Sequence, residues 1–192
     1  PGIERGLVVV GSDKRGTIYG LYHISELIGV SPWIFWADAV PDKKDSIVLE
    51  ASELNVTSKE PSVKYRGIFL NDEAPSLTGW VNAKFKGYNE EFYKHVYELI
   101  LRCKGNYLWP AMWSNNFSED GKSSKTANAE LADKYGIVMG TSHHEPLCRA
   151  GVEWQRIYRK YGNSNKWDFD ANGEAITKFW QDGVKRNMAF EN

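Results

Sequence analysis

Apolar positions along the 192-residue chain follow two rhythms, which change near residue 57. Before that point, the run Leu7-Val8-Val9-Val10 predicts a strand that turns at Gly11-Ser12-Asp13-Lys14-Arg15-Gly16. From Thr17, placed to cap a helix, Ile18, Leu21, Tyr22, Leu27 and Ile28 recur at helical spacing, and Gly29 is placed to end it. Ser31-Pro32 precedes the apolar run Trp33-Ile34-Phe35-Trp36, and Ser46-Ile47-Val48-Leu49 predicts another strand. Residues 1–57 therefore read as a small α/β unit. The polar stretch Thr57-Ser58-Lys59-Glu60-Pro61-Ser62 reads as a linker.

After the linker, strand and helix patterns alternate. Strands are predicted over 63–70, 106–109 and 137–142. Helices are predicted over 90–104, where Phe92, Tyr93, Val96, Leu99, Ile100 and Cys103 share one face, and over 128–135, ended by Gly136. Two more are predicted over 152–161 and 174–189. Three strand–helix units in series imply parallel strands joined by right-handed crossovers. The predicted fold is thus α/β, with a small accessory α/β domain in 1–57 and the first three units of a TIM-type (β/α)8 barrel in 58–192. Three units cannot close a barrel of eight, so the chain reads as part of a longer protein.

In such a barrel, chemistry gathers where the C-terminal strand ends converge. The first predicted strand runs into Asn71-Asp72-Glu73, the second into Trp109-Pro110-Ala111-Met112-Trp113, and the third into Thr141-Ser142-His143-His144-Glu145-Pro146. A carboxylate at a strand tip can orient water, hold a sugar hydroxyl or act as a base, which makes Asp72 the sharpest candidate, with Glu145 and Glu73 as the other acids. The plainer reading of Asp72 is a cap on the loop before Ala74-Pro75. Strand alternation would place Arg66 about 20 Å below the tip, where a structural ion pair suits it better than a substrate. It would also send His143 and His144 to opposite sides, so that one faces the pocket and one supports it, an arrangement unsuited to chelating one ion. Trp109 and Trp113 flank Pro110, and their rings suit either core packing or a platform for a sugar face.

Composition narrows the function classes. The 24 basic and 25 acidic residues are interspersed and leave a net charge of −1, which points to neither a nucleic-acid backbone nor an anionic membrane as partner. No apolar run approaches the length needed to span a bilayer. Cys103 and Cys148 form no zinc or disulfide pattern. The turn at residues 11–16 lacks phosphate-loop spacing and reads as a tight turn with a salt bridge. The eight Trp, ten Tyr and eight Phe exceed what charge or metal chemistry would call for and suit a carbohydrate site as well as a core.

Taken together, the segments Gly11 to Gly20, Gly29-Val30-Ser31-Pro32-Trp33, Tyr65 to Glu73, Asn106 to Trp113 and Gly140 to Pro146 resemble glycoside hydrolase family 115, the xylan α-1,2-glucuronidases, over essentially the whole chain. The resemblance implies inverting release of glucuronic acid or its 4-O-methyl form from glucuronoxylan or its oligosaccharides, with no metal or cofactor. Asp72 matches a family acid at the end of the first barrel strand, and His144 with Glu145 match the third-strand motif; together with the strand-end reading this makes Asp72 and Glu145 the candidate catalytic residues and Asn71, Trp109, Trp113, His143 and His144 the candidate substrate contacts. The resemblance places further family acids on later strands, so this stretch alone is expected to be inactive. It also implies a secreted or periplasmic parent protein, with a homodimer as one assembly of the full-length enzyme. Two other readings stay open at this stage: a metal-dependent barrel hydrolase or isomerase using His143 and Glu145, and a non-catalytic carbohydrate-binding module.

Overall fold

A computed structural model describes residues 6–191. Contacts divide the chain into two compact units, Pro1–Arg66 with Glu98–Asn106, and Gly67–Tyr97 with Tyr107–Asn192.

In the first unit the main element is helix α1, Lys14–Leu27. Its N-cap is Asp13, whose Oδ1 accepts the Gly16 amide at 2.7 Å. The helix therefore starts ahead of the expected Thr17 cap and takes in Lys14 to Gly16, the second half of the predicted turn. The expected salt bridge is present between Arg15 and Asp13 at 3.2 Å. Gly29, at φ +95°, ends the helix as expected. The predicted strands at Leu7-Val8-Val9-Val10 and Ser46-Ile47-Val48-Leu49 are instead irregular and largely exposed. A β-branched run becomes a strand only when a neighbour satisfies its amides and carbonyls, and neither run pairs among the described residues. The short helix α2, Ala51–Leu54, follows, closed by a capping box between Glu50 and Glu53. Arg66 donates to the carbonyls of Val63 (2.7 Å), Lys104 (3.0 Å) and Lys64 (3.2 Å), so main-chain acceptors replace the expected ion pair.

The second unit is built on three short parallel strands, β1 (Gly67–Phe69), β2 (Tyr107–Trp109) and β3 (Val138–Met139), in the order β1-β2-β3. Ile68 pairs with Leu108, and Leu108 with Met139. Leu108 in the central strand is fully buried. Between β1 and β2 lie α3 (Ser76–Phe85) and α4 (Glu90–Arg102), of which α3 was not expected. Its sequence buries only Val81 and Phe85, too sparse a stripe to read as amphipathic. Helix α4 follows the predicted spacing. It buries Phe92, Tyr93, Val96, Tyr97 and Ile100, the buried Asn89 caps it by accepting the Glu91 amide at 3.0 Å, and acids and Arg102 sit at its favourable ends.

Between β2 and β3 lies α5 (Ala127–Tyr135), stopped by Gly136 at φ +72° as anticipated. After β3 come α6 (Gly151–Ile157) and α7 (Phe169–Asn187). Helix α7 starts earlier than its apolar pattern suggested because Asp168 caps it by accepting the Ala171 amide at 3.2 Å. Trp154 of α6 packs with Ala175, Ile176 and Phe179 of α7 in an apolar cluster. This cluster holds the end of the chain against the segment that follows β3.

The β1–β2 pairing depends on a missing side chain. A Cβ on Gly67 would stand 1.7 Å from the Tyr107 carbonyl oxygen, a main-chain atom that cannot swing aside. Gly67→Ala is therefore expected to destabilise the full-length protein by about 2 kcal/mol or more. A thermal unfolding midpoint unchanged from wild type would refute this.

Candidate active site

All three predicted strand-end clusters lie in the second unit, and two of them are joined by one carboxylate. Asp72, 2% exposed, lies three residues beyond the end of β1, so strand alternation does not carry through to it. Its Oδ1 accepts the Met112 amide at 2.9 Å, and its Oδ2 accepts the Trp113 amide at 3.0 Å and Asn115 Nδ2 at 2.5 Å. Its own carbonyl accepts the Thr78 hydroxyl at the start of α3. Asp72 does cap a loop, but the loop after β2 rather than its own. Asn115 was not anticipated, since no local pattern links it to a residue 43 positions away.

That clamp sets out a row of exposed and half-exposed polar and aromatic groups. Trp113, 44% exposed, donates through Nε1 to Asn71 Oδ1 at 3.1 Å, and Asn71 Nδ2 donates to Glu73 Oε1 at 3.2 Å. The Trp113 ring lies 4.8 Å from that of His144, which lies 4.2 Å from that of His143. The two histidines thus stand side by side instead of pointing apart. The reason is that β3 ends at Met139, and residues 143–144 form a turn in which strand alternation no longer applies. Among the described residues, no group of three or more His, Cys, Asp or Glu is placed to hold a metal. Trp109 stays out of this row. Its Nε1 donates to the Tyr107 hydroxyl at 2.8 Å, its ring meets Phe69 edge-on at 6.0 Å, and it lies against Gly140.

Glu145 is of a different kind. It is 4% exposed, and its Oε2 has no hydrogen-bond partner. Burial, reinforced by the negative charges of Asp72 and Glu153 and only partly offset by Arg186, pushes its pKa up from the ordinary 4.5 to about 8. At neutral pH it is a carboxylic acid that still carries its proton. Beside it opens a cavity of about 100 Å³, lined by Pro110, Met139, Thr141, Cys148, Asn187 and Phe190. That is room for a few waters but well short of the roughly 300 Å³ at which small-molecule pockets begin.

Below Glu145 runs a buried ion network that the sequence did not single out. Glu153 on α6 receives Arg149 at 3.1 Å and Arg186 of α7 at 3.0 Å, and Arg186 also reaches Glu119 at 2.8 Å. The i,i+4 spacing of Arg149 and Glu153 was the available signal, although on a helix it ordinarily marks a solvated surface pair.

A mixed α/β chain whose parallel strands deliver acids, histidines and tryptophans to one end belongs to the class of folds that carry their sites at the carboxyl ends of strands. The chain belongs to glycosyl hydrolase family 115, whose sequence model matches residues 58–192, in agreement with the resemblance read from the motifs. It is also similar in structure, with a TM-score of 0.78 and 37% identity, to a family 115 4-O-methyl-α-glucuronidase with specificity for decorated arabinogalactans. The match covers 94% of this chain and 24% of that one, so the chain spans about a quarter of the relative's length. No curated protein matches the chain.

Two measurements check these assignments. Asp72→Ala would strand two main-chain amides and the Asn115 amide, and should cost about 3 kcal/mol of stability in the full-length protein, with Asp72→Asn, which keeps one acceptor oxygen, costing less. Equal stability of Asp72→Ala and wild type would exclude the clamp. Glu145 makes a pH-dependent contribution of opposite sign to that of most carboxylates. Below pH 4.5 folded and unfolded chains both hold its proton, whereas between 4.5 and about 8 only the folded chain does. Stability from this group is therefore lost as pH rises, by up to about 1.4 kcal/mol per unit, and levels off above pH 8. The unfolding free energy of Glu145→Gln relative to wild type should climb across that window; a flat difference would rule out the buried acid.

Proposed function

We propose that this chain forms the first part of the catalytic domain of an α-glucuronidase that releases glucuronic acid or 4-O-methylglucuronic acid side chains from a plant polysaccharide by inversion. In this reading the three strands of the second unit are the first three of a (β/α)8 barrel, and residues 1–57 end an accessory domain. The observation that carries the proposal is the row of Asn71, Trp113, His144 and His143 that the buried Asp72 carboxylate sets out at the strand ends.

Cleavage of a glycosidic bond requires a proton for the departing oxygen, and an acid that keeps its proton at neutral pH can supply it. Glu145 takes that role. Asp72 holds the Trp113 loop in place and adds the negative charge that helps Glu145 keep its proton. Trp113 offers a ring face for the sugar, while Asn71 and His143 offer hydrogen bonds to its hydroxyls and carboxylate. Inversion also needs a base some 6.5–9.5 Å from the acid, with a water between them. That carboxylate comes from a later strand.

The resemblance read from the sequence motifs suggests xylan as the polymer, and the solved relative is specific for decorated arabinogalactans, so both substrates enter the test. The full-length protein is expected to release the uronic acid from at least one of them, and proton NMR of the first product should show the β-anomer. Glu145→Gln should lower kcat by roughly a hundredfold or more and abolish the alkaline limb of the rate profile near pH 8. A Glu145→Gln enzyme as fast as wild type would end this assignment.

A further inference from the structure

The loop that carries Trp113 is held by side chains. Among the described residues, no main-chain hydrogen bond joins residues 110–115 to one another. The Ala111 amide donates to the Tyr93 hydroxyl of α4 at 3.2 Å, the Met112 amide to Asp72 Oδ1 at 2.9 Å, and the Trp113 amide to Asp72 Oδ2 at 3.0 Å. The next residue, Ser114, has a φ of +56°, a left-handed conformation that a residue other than glycine keeps only where its surroundings impose it. Asn115 spans that residue. Its Nδ2 donates to the Trp113 carbonyl at 2.7 Å and to Asp72 Oδ2 at 2.5 Å. A side-chain amide nitrogen carries two hydrogens, and here each has an acceptor, so the orientation of the amide is set by what it faces. At the outer end of this arrangement the Trp113 ring is 44% exposed, tied through Nε1 to Asn71 Oδ1 at 3.1 Å and set 4.8 Å from the His144 ring.

We propose that Asn115 is a positioning residue for substrate binding: by bridging the Trp113 carbonyl and the Asp72 carboxylate, it holds the Trp113 indole where a sugar ring can stack on it. The inference rests on the reading of Trp113 as the ring that faces the sugar. A residue has two soft main-chain dihedrals, and fixing the directions of its N–H and its C=O fixes both. Asp72 fixes the Trp113 N–H, and Asn115 fixes the C=O. Together they set the direction in which the side chain leaves the main chain, and Asn71 holds its far end. Without the Asn115 amide, the carbonyl is free to turn and nothing opposes relaxation of Ser114 to an ordinary conformation. The indole would then move off its place beside His144. A gap of about 1 Å beneath a stacked ring forfeits up to about half of the dispersion contact, so a small shift is enough to weaken binding. Asn115 acts through Trp113 and has no part in the bond-breaking step.

The test is KM and kcat of the full-length protein on whichever of glucuronoxylan and decorated arabinogalactan it cleaves. Wild type is compared with Asn115→Ala, Asn115→Ser, Trp113→Ala and the double variant Trp113→Ala/Asn115→Ala, with circular dichroism to verify folding. Asn115→Ala is expected to raise KM roughly fivefold or more and to leave kcat within about twofold. Asn115→Ser, whose hydroxyl has one hydrogen for two acceptors, should fall between that variant and wild type. Trp113→Ala should raise KM at least as much, and adding Asn115→Ala to it should raise KM no further. A side chain that merely stabilised the fold would reduce the amount of active enzyme in both backgrounds and leave KM alone. The proposal falls if Asn115→Ala keeps the wild-type KM, or if it raises KM by the same factor with and without Trp113. Should Asn115→Ala fail to fold, Asn115→Ser carries the test, and a wild-type KM in that variant overturns the proposal. If Trp113→Ala raises KM while both Asn115 variants behave as wild type, the Asn115 inference alone fails. If Trp113→Ala keeps the wild-type KM, or neither polymer is cleaved, the functional reading fails first and takes the inference with it.

Discussion

The site depends on a single carboxylate that joins two strand ends. Parallel neighbours are not tied by a tight hairpin, so the loops at their carboxyl ends must be set relative to one another by side chains. Asp72 does this by taking two amides and a side-chain amide from the loop after β2. Trp113 is thereby held where its indole meets Asn71 and its ring meets His144. The charge that holds the loop also reaches Glu145 and helps to keep that group neutral. One residue thus supports both the shape of the site and its proton.

Glu145 and the ions beneath it show how burial divides the labour among acids. Glu153 is as buried as Glu145, and in each the Oε2 oxygen has no hydrogen-bond partner, but Glu153 Oε1 takes both the Arg149 and the Arg186 guanidinium groups. A buried carboxyl that faces other acids, as Glu145 does, is pushed toward its neutral form.

How much of this was legible in the sequence follows from the range of the forces involved. Helix α4 and the Gly136 stop of α5 were readable because apolar spacing and a left-handed cap are local. The parallel order was readable because strand–helix–strand connections leave little choice. Leu7-Val8-Val9-Val10 and Ser46-Ile47-Val48-Leu49 misled because a strand needs a partner that the run itself does not specify. The same limit applied to the site. Asn71, Asp72, Trp113, His143, His144 and Glu145 could each be picked out as residues at strand tips. The Asp72 clamp on Met112 and Trp113, the side-by-side histidines and the Glu153 network could not, since each depends on distant segments meeting or on a strand ending earlier than its apolar run.

The turn after β3 shows why such long-range ties are needed. Its residues favour no left-handed conformation and its apolar Leu147 is exposed, so the local hydrogen bonds from the Cys148 amide to Glu145 and from the Arg149 amide to Pro146 act against the preference of the side chains. Helix α7, nearly forty residues later, braces the turn through Arg186, which donates to the Cys148 carbonyl, and through the space left at Gly183. A loop set by its own sequence would keep its shape wherever it was placed. One set by a helix at the far end of the unit keeps it only when that helix has docked. The Trp154–Phe179 cluster, which packs α7 against α6, therefore also supports the turn that carries Glu145.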